Sequence, residues 1–596
     1  MAAYLPHASL FCSRFPTAGM KKPKAKGGVM MTKRAMGNLL NRYRAVLKKC
    51  HLMNTFGSLA VASILVMGAT SGEAFSNAIG YDLASPSTPR TTVSVTDESE
   101  DAVASSIKAD VPGTYAAPDT IARAEATAIG TQSALSFGVF VQNNTNKQLT
   151  VNINQLDSVT QSITENGTSR SVGILSDKNG SVSINGGTIV SSSKSKNGVG
   201  ESFGIVCNHN SSITSGINSI ILSSESNKHI SDPQSVGVYF SDNSNCHITS
   251  DKLRIDMSAI NNGDVYSKKI DGIYGEKNST LTMNDADISV HGINNNPDKS
   301  GVAGIHLSTA STLAMKDAAI RVTATNPEGG LAGSAVGIVT SPTSGRHNMT
   351  AGALDIRAQG GWATGMLLRN TDIRVAGGTI MSKAREQAAY GIQATQTNFT
   401  ATGDIDITTQ ADMARSAVAA ILSMDNSSFT MRGGAVTVSS KGDGGAIGLY
   451  AKGGGTITKT GGDIAVSAGV AIGMETLPAS KITYGDAKAT TRVTVDGMEA
   501  YGIRVRGQAS TGQNASIELT NGVIRAQSSG DTAIGAYSSS GDISLKGTTA
   551  ITATAAAPGQ KVYSLYAKGD TPSTITVDKA STMEGDMETA TPSATV

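Results

Sequence analysis

A small residue followed by an aliphatic residue recurs along most of this 596-residue chain, at intervals of about 30 residues. Gly173-Ile174 and Gly204-Ile205 are two examples, and fifteen such pairs occur between residues 136 and 580. A repeat of this length is typical of solenoids, in which each unit is one turn of chain that stacks on its neighbours. The pattern therefore predicts one long repeat array.

Thirteen of the pairs begin with a glycine, and we term these residues the repeat glycines. Ala420 and Ser564 take the same place in the other two pairs. The repeat glycines are Gly138, Gly173, Gly204, Gly237, Gly272, Gly304, Gly337, Gly365, Gly391, Gly448, Gly473, Gly502 and Gly535. The aliphatic residues that follow are expected to form a core ladder of Ile174, Ile205, Val238, Ile273, Ile305, Ile338, Met366, Ile392, Ile421, Leu449, Met474 and Ile503.

Each unit contains two further apolar anchors, such as Val182 and Ile189. These anchors are seven residues apart in most units, and on one straight strand an odd spacing would place them on opposite faces. The chain must therefore turn between them, and the intervening Asn185-Gly186-Gly187 accepts the positive φ of a tight corner. Three strands per unit predict an all-β fold, a right-handed parallel β-helix solenoid of about 15 three-sided coils.

The composition agrees with stacked strands and tight turns. The chain contains 66 glycines, and only 4% of its residues are aromatic, so a large aromatic core is excluded. No long stretch has the apolar period of a helix, whereas glycine and β-branched residues are abundant. Cys207 and Cys246 are the only cysteines after the expected export signal, so stability cannot rest on a disulfide framework.

The net charge of +2 conceals an asymmetry along the chain. Residues 1–50 contain 11 Lys or Arg and no acid, which leaves 38 basic against 47 acidic residues in the rest. Nucleic-acid binding requires a basic face. We therefore expect no nucleic-acid partner.

The N-terminal region has the order of a secretory signal. Residues 42–49 are basic, and Phe56–Ala69 is uncharged and followed by small residues. This order matches the basic region, apolar region and cleavage site of an export signal, and a 14-residue apolar run is short for a membrane span. We predict cleavage after Ala74 or Ala78.

The chain divides into five predicted parts. Several early methionines indicate that the natural start lies after Met1. Residues 1–35 are then an extended or wrongly included N-terminus, 36–78 an extended signal peptide, 79–135 a linker or irregular cap, 136–580 the parallel β-helix, and 581–596 a disordered tail.

The signal followed by Gly-Ile coils resembles the passenger region of bacterial autotransporter adhesins and, more loosely, the β-helices of pectin-lyase type. The resemblance covers residues 136–580 as a pattern of residue types, and residues 41–74 resemble the extended signal peptides of autotransporters. Autotransporters also carry a C-terminal outer-membrane barrel, whereas this chain ends in Thr-Pro-Ser-Ala-Thr-Val596. We expect a truncated gene, a separate barrel chain or another secretion route.

The resemblance implies an exported protein at the cell surface or outside the cell, with an adhesive or structural and non-catalytic role. Without a barrel, a periplasmic location is an alternative. The partner expected is a host or surface glycan or protein, and no cofactor or metal is expected. Two alternatives stay open, a carbohydrate-active β-helix enzyme acting as a lyase or hydrolase, and a truncated fragment without function.

Ligand binding is expected on loops between the third anchor and the next repeat glycine, because solenoids bind through such loops. The loops are longest in the early units and would lie along one edge. Tolerated insertion is the alternative explanation. Trp362, the only tryptophan, is an exposed contact or fills a corner. The loops concerned are residues 191–202, 223–235, 257–270, 291–302 and 323–335.

Three motifs are similar to known sites of chemistry, and we interpret each as structural. Gly200-Glu201-Ser202-Phe203-Gly204 matches a nucleophile elbow, but that motif requires a strand that turns into a helix. Asn370-Thr371-Asp372 is similar to a polygalacturonase motif, but the companion acids that glycoside hydrolysis needs are missing. Cys207, His209, Cys246 and His247 have the residue types of a zinc site, but their spacing from the repeat glycines separates them, so neither a metal site nor a disulfide is predicted unless the corner folds them together.

Overall fold

A computed structural model describes the chain from Ser76 onward, with gaps, and Ala74 and the predicted signal segment before it lie outside the described residues. The described residues are 76–83, 92–97, 101–117, 120–128, 133–145, 147–226, 235–261, 269–294, 301–326, 328–342, 345–413, 418–441, 444–507, 514–556, 559–569, 572–591 and 594–596.

Within these ranges the chain is all β, without helices, and winds into a parallel β-solenoid of about 14 turns. The predicted β-helix is therefore confirmed, with close to the predicted number of coils. The described residues include no helix that is long and apolar enough to cross a membrane.

The described part of the solenoid contains 42 strands, which pair in parallel from turn to turn. In chain order they are β1 (Ser76–Asp82), β2 (Thr92–Asp97), β3 (Ala102–Ala109), β4 (Gly113–Ala117), β5 (Thr120–Ala128), β6 (Ala134–Gln142), β7 (Leu149–Thr164), β8 (Thr168–Asp177), β9 (Gly180–Ser195), β10 (Val199–Cys207), β11 (Ser212–Ser226), β12 (Ser235–Phe240), β13 (Asn245–Asn261), β14 (Lys269–Gly275), β15 (Thr280–Asn294), β16 (Gly301–Leu307), β17 (Thr312–Met315), β18 (Ala318–Thr325), β19 (Ser334–Thr340), β20 (His347–Gly360), β21 (Trp362–Arg369), β22 (Thr371–Ala384), β23 (Ala389–Thr395), β24 (Asn398–Ala401), β25 (Ile405–Ala411), β26 (Val418–Met424), β27 (Ser428–Met431), β28 (Val436–Ser440), β29 (Gly445–Lys452), β30 (Thr456–Lys459), β31 (Ile464–Thr476), β32 (Lys481–Tyr484), β33 (Thr491–Arg506), β34 (Ala515–Thr520), β35 (Gly522–Ser539), β36 (Gly541–Lys546), β37 (Ala550–Ala555), β38 (Lys561–Lys568), β39 (Ser573–Val577), β40 (Thr582–Glu584), β41 (Asp586–Thr589) and β42 (Ala594–Thr595).

Each turn has three faces, which we term A, B and C. Face A carries the repeat glycine and the core ladder, as in β8 and β10. Face B carries the second anchor and face C the third, and in several turns one bent strand, such as β9, supplies both. On face A, Ile174, Ile205, Val238 and Ile273 occupy matching positions of successive strands. All twelve residues of the expected ladder have 0% exposed surface and lie in one continuous core.

Short strands continue the stack beyond the limits that the sequence predicted for it. Strands β1 to β5 fall largely within residues 79–135, the predicted linker or cap, and β1 and β3 pair with β3 and β6 of the stack. Ala78, the second predicted cleavage position, lies within β1 and pairs with Ala104. At the other end, β40 to β42 lie in the predicted tail and pair with β37 to β39.

The repeat glycines are required by a close approach of face A to face C. A Cβ atom built on Gly304 would overlap Cγ2 of Ile320, the third anchor of the same turn, and would lie 2.7 Å from the carbonyl oxygen of Gly337 in the next turn. Neither contact leaves room for a side chain at this position. The same obstruction recurs at Gly173 with Ile189 and at most other repeat glycines.

The corner between faces A and B is a turn that sequence analysis did not identify. Lys178-Asn179, His209-Asn210, Asp242-Asn243 and Lys277-Asn278 all have positive φ values. Asparagine tolerates this conformation better than most residues. Backbone hydrogen bonds join these corners along the axis, for example from the Asn179 N–H to the His209 carbonyl at 3.0 Å.

The segments predicted as long binding loops are largely strand in their described parts. β9 continues to Ser195 and β10 begins at Val199, so only three residues connect faces C and A in that turn. The additional strand length buries serines, and Ser136 Oγ lies 2.8 Å from Ser162 Oγ and 2.9 Å from Ser171 Oγ. Residues 326 and 328–333 belong to a connection, whereas 227–234, 262–268, 295–300 and 327 lie outside the described residues.

A lysine and a tyrosine interrupt the apolar anchors in the interior of face B. The fully buried Lys459 donates from Nζ to the Gly434 carbonyl at 2.6 Å and to the Gly461 carbonyl, and lies 6.0 Å from the ring centre of Tyr484. Burial lowers the pKa of Lys459 to about 8, against the opposing effect of nearby aspartates. Its charge is therefore held by backbone carbonyls inside the core.

The glycine contact predicts that Gly304→Ala destabilises the solenoid by about 1 to 3 kcal/mol, because the added methyl group must displace Ile320 or the backbone. Gly301→Ala is the matched control in the same strand, since a Cβ there meets nothing within 4 Å. Urea midpoints of both variants, followed by circular dichroism, measure the difference. Equal midpoints would contradict the packing argument.

Lys459 predicts a pH dependence that Lys459→Met removes. Between about pH 8 and 10 the unfolded chain keeps a proton that folded Lys459 has lost, so the free energy of unfolding rises with pH in this window. We expect the wild type to gain up to about 2 kcal/mol relative to Lys459→Met from pH 8 to 10. Urea titrations at each pH measure the free energy of unfolding, with the exposed Lys546→Met as control. If the free energies of the wild type and Lys459→Met change equally with pH, the prediction is refuted.

Candidate functional site

Two rows of side chains on the outside of face A flank the repeat glycines along the axis. One row lies one residue before each glycine and the other two residues after it, and we term their joint surface the outer groove. Most of these side chains are buried, although they do not belong to the main core. Leu422, Ile447 and Ile472, for example, form a separate cluster with partly buried Tyr390 and Tyr450.

The two rows lean toward each other because the strand bends inward at the glycine. Phe137 and Phe140, on either side of Gly138, have ring centres 5.2 Å apart. At the other end of the solenoid, Tyr563 and Tyr566 flank Ser564 with ring centres 4.8 Å apart. Residues three apart on a straight strand would point to opposite faces. The bend therefore recesses the outer surface of face A.

Tyrosines are concentrated in the outer groove. Ring contacts continue from turn to turn: the ring centre of Tyr537 lies 6.0 Å from that of Tyr501, in an edge contact, and 5.7 Å from that of Tyr566, in a stacked one. Such rings combine a large apolar face with a hydroxyl that can hydrogen-bond. Of the chain's 14 tyrosines, eight take positions in the two rows: Tyr239, Tyr274, Tyr390, Tyr450, Tyr501, Tyr537, Tyr563 and Tyr566.

In the N-terminal half of the groove, two stacked tyrosines share one carboxylate. Tyr239 and Tyr274 have parallel rings 5.5 Å apart. Their hydroxyls donate to the two oxygens of Glu276, at 2.8 and 3.1 Å. Burial and the Glu276 charge raise the pKa of both tyrosines, so both hydroxyls stay protonated and act as donors.

Three consecutive turns, beginning with that of Tyr274, place a carboxylate, an imidazole and a hydroxyl in a row. Asp271 Oδ2 lies 3.5 Å from His306 Nδ1, and His306 Nε2 lies 3.0 Å from Ser341 Oγ. The Tyr274 ring contacts the edge of the His306 ring, with centres 4.9 Å apart. Asp271 and His306 are buried, whereas Ser341 is partly exposed.

In the C-terminal half, a buried carboxylate binds two arginines. Glu475 is 1% exposed, and its Oε1 accepts from Nε of Arg504 at 2.8 Å and of Arg506 at 2.7 Å. The Arg504 guanidinium lies 5.1 Å from the ring centre of Tyr501. Burial, and then the Glu475 charge, raise the pKa of Tyr450 nearby. The groove thus contains charge that is fixed in place.

Two motifs of possible chemistry lie away from the groove. Ser202 of the Gly-x-Ser-x-Gly segment points into the interior, where its hydroxyl donates to the Ser223 carbonyl and lies 3.0 Å from Ser193 Oγ. Asp372 lies on the outside of face B, where Arg346 and Asn398 bind it. The hydrogen bond from Arg346 is the main cause that lowers the pKa of Asp372. Both residues have structural partners.

The cysteines differ from expectation. Spacing predicted that Cys207 and Cys246 lie apart, but the corner between faces A and B brings them together in the core as free thiols. Cys207 Sγ lies 3.7 Å from the Asn245 carbonyl oxygen, and contact with Cys207 together with burial raises the pKa of Cys246. Spacing failed because it treated the coil as flat and ignored the corner.

The two histidines of that motif do not join the thiols. His209 Nδ1 lies 2.5 Å from Asp177 Oδ1 and its Nε2 lies 3.5 Å from Asp242 Oδ2, whereas His247 is exposed on the outside of face B. Among the described residues, no group of three or more His, Cys, Asp or Glu is placed to hold a metal ion. Trp362 begins β21 and is partly exposed.

No family model matches the chain, and no curated protein or solved structure is significantly similar to it.

The buried carboxylate predicts that Glu475→Gln lowers the free energy of unfolding by about 2 kcal/mol, because two arginines lose a charged acceptor in a partly desolvated site. Glu518→Gln is the control, since Glu518 pairs with exposed Lys546 at 2.7 Å and should change stability by less than about 1 kcal/mol. Urea midpoints at neutral pH compare the two. A larger effect at Glu518 would show that burial does not govern these ion pairs.

Proposed function

We propose that the protein is an exported, adhesive protein of the cell surface or extracellular space, and that it binds an extended glycan along the outer groove. The observation that carries the proposal is the run of tyrosines and fixed charges outside face A in the C-terminal half, from Glu475 and Arg504 to Tyr537 and Tyr566. A concave, largely apolar surface with a few fixed polar groups is the usual form of a ligand site.

The chemistry of the groove favours a sugar chain over other extended ligands. Tyrosine rings offer apolar faces to the C–H surfaces of sugar rings, and their hydroxyls, together with Arg504 and Glu276, offer hydrogen bonds to sugar hydroxyls. Between Tyr390 and Tyr566 the groove extends over six turn spacings, about 30 Å. A repeating ligand could therefore make similar contacts in successive turns, so that weak contacts add up to useful affinity.

Export is part of the same proposal and rests on the signal-like N-terminal sequence. Cleavage after Ala74 would leave β1 whole, whereas cleavage after Ala78 would divide it, so we favour Ala74. A solenoid with this signal is compatible with an autotransporter passenger, and that assignment remains part of the proposal. N-terminal sequencing of the secreted protein would establish the site.

The groove predicts that Tyr537→Ala combined with Tyr566→Ala weakens glycan binding at least about tenfold, since each aromatic contact contributes about 1 kcal/mol or more. Thr430→Ala with Thr458→Ala, on the outside of face B, is the matched control and should bind like the wild type. The measurement is surface plasmon resonance of the full chain on immobilised neutral and uronic-acid polysaccharides.

Three outcomes would decide between the alternatives. Binding that survives the tyrosine substitutions contradicts the groove as the site. Absence of binding to any polysaccharide contradicts the glycan ligand and favours a fragment without function. Release of reducing or unsaturated sugar ends during incubation would instead favour the carbohydrate-active enzyme.

A further inference from the structure

The row of Asp271, His306 and Ser341 lies across three consecutive turns of face A. Asp271 is in β14, one residue before its repeat glycine, and His306 is in β16, two residues after its own. Ser341 follows β19 directly, and the register places His306 beside Tyr274 in one neighbouring turn and Val339 in the other. The rigid stack of strands therefore sets the spacing of the three side chains.

We propose that Ser341, His306 and Asp271 form a serine nucleophile site that attacks carboxylic esters. His306 lies between the two oxygens, with Nε2 at 3.0 Å from Ser341 Oγ and Nδ1 at 3.5 Å from Asp271 Oδ2. A hydroxyl bonded to an imidazole that a third group orients is the arrangement that activates a serine. Free enzymes often hold such contacts slightly long.

Burial supports different roles for the three groups. The carboxylate of Asp271 is 2% exposed, and its Oδ2 has no hydrogen-bond partner among the described residues. A buried acceptor without a donor is costly, and His306 Nδ1, 3.5 Å away, is the ring nitrogen placed to approach it. Ser341 is partly exposed, so its hydroxyl can meet a substrate. Tyr274 packs against the imidazole and limits its rotation.

The chemical step follows from these positions. Ser341 Oγ attacks the ester carbonyl carbon while its proton passes to His306 Nε2. The tetrahedral intermediate collapses, the bond from the acyl carbon to the alkoxy oxygen breaks, and the leaving alcohol takes the proton from His306. Water, deprotonated by His306, then releases the carboxylic acid and restores Ser341. Asp271 acts as a positioning residue, because it holds the ring and stabilises the imidazolium.

The local backbone indicates that turnover is slow. The N–H of Ser341 donates to the Leu307 carbonyl at 2.9 Å, and the next residue, Pro342, has no N–H. The backbone donors that commonly stabilise the oxyanion are therefore missing at these two positions. Acylation of Ser341, rather than a turnover rate, is the informative measurement.

This activity goes beyond glycan binding and can fail or succeed independently of it. The site contains none of the tyrosines changed in the binding test, Tyr537 and Tyr566, which lie seven or more turns away along the axis. The two results can therefore be distinguished.

The test is labelling of the full chain with a fluorophosphonate, which reacts with activated serines, followed by peptide mapping. We expect the label on Ser341, and a labelling rate at least about 100-fold lower in Ser341→Ala and His306→Gln. Ser308→Ala is the matched control, because Ser308 has the same register position one turn earlier. Circular dichroism and urea midpoints verify that each variant is folded.

Asp271 needs a readout that a structural role would not change. Asp271→Asn keeps the shape but removes the charge, so it should label slowly, whereas Asp271→Glu keeps the carboxylate and should retain part of the rate. Labelling of Ser308 instead of Ser341, equal rates in His306→Gln and wild type, or no labelling of the folded wild type would each overturn the proposal.

Discussion

The contact between the repeat glycine and the third-anchor isoleucine sets the cross-section of most turns. At Gly304 a Cβ atom would overlap Ile320 of the same turn and approach the Gly337 carbonyl of the next. The glycine thus permits close packing in two directions at once, across the turn and along the axis. Because interiors pack at crystal-like density and cannot absorb a misfit, the position of face A relative to face C depends on this one missing side chain.

The outer groove is a consequence of the same contact. The inward bend at the glycine turns the residues before and after it toward each other, as the Phe137 and Phe140 rings show. Side chains outside the core are thereby buried by their own neighbours in the groove, and charges such as Glu475 become partly desolvated. A recess of this kind raises the strength of ion pairs and hydrogen bonds at a surface that ligands can reach.

The sequence predicted the periodic features well and the corners poorly. The pairs such as Gly173-Ile174 were sufficient to predict the solenoid, since a 30-residue repeat of apolar positions has few other solutions. Cys207 and Cys246 were misplaced because the turn at His209-Asn210 has no strong signal, although Asn followed by Ser recurs there. The sequence shows aromatic residues directly before the small residue, such as Phe137, Phe203 and Tyr501. Only the inward bend of the strand, which the sequence does not indicate, shows that these side chains form a groove. The contact of His306 with Ser341 joins different turns, so no local pattern reveals it.

The residue types of the core and of the groove vary in different ways along the axis. This difference distinguishes positions that serve stability from positions that can serve ligand chemistry. Core positions repeat the same aliphatic types because each must fit the same cross-section, from Ile174 to Ile503. The groove rows change from Phe203 to Asp271, His306, Tyr450 and Glu475, although every turn offers the same backbone. Polar groups in a recess destabilise a fold unless they are paired, so packing alone does not explain a buried acid in this surface. The turns from Asp271 to Ser341 and from Tyr450 to Arg506 are therefore where ligand chemistry has the clearest physical basis.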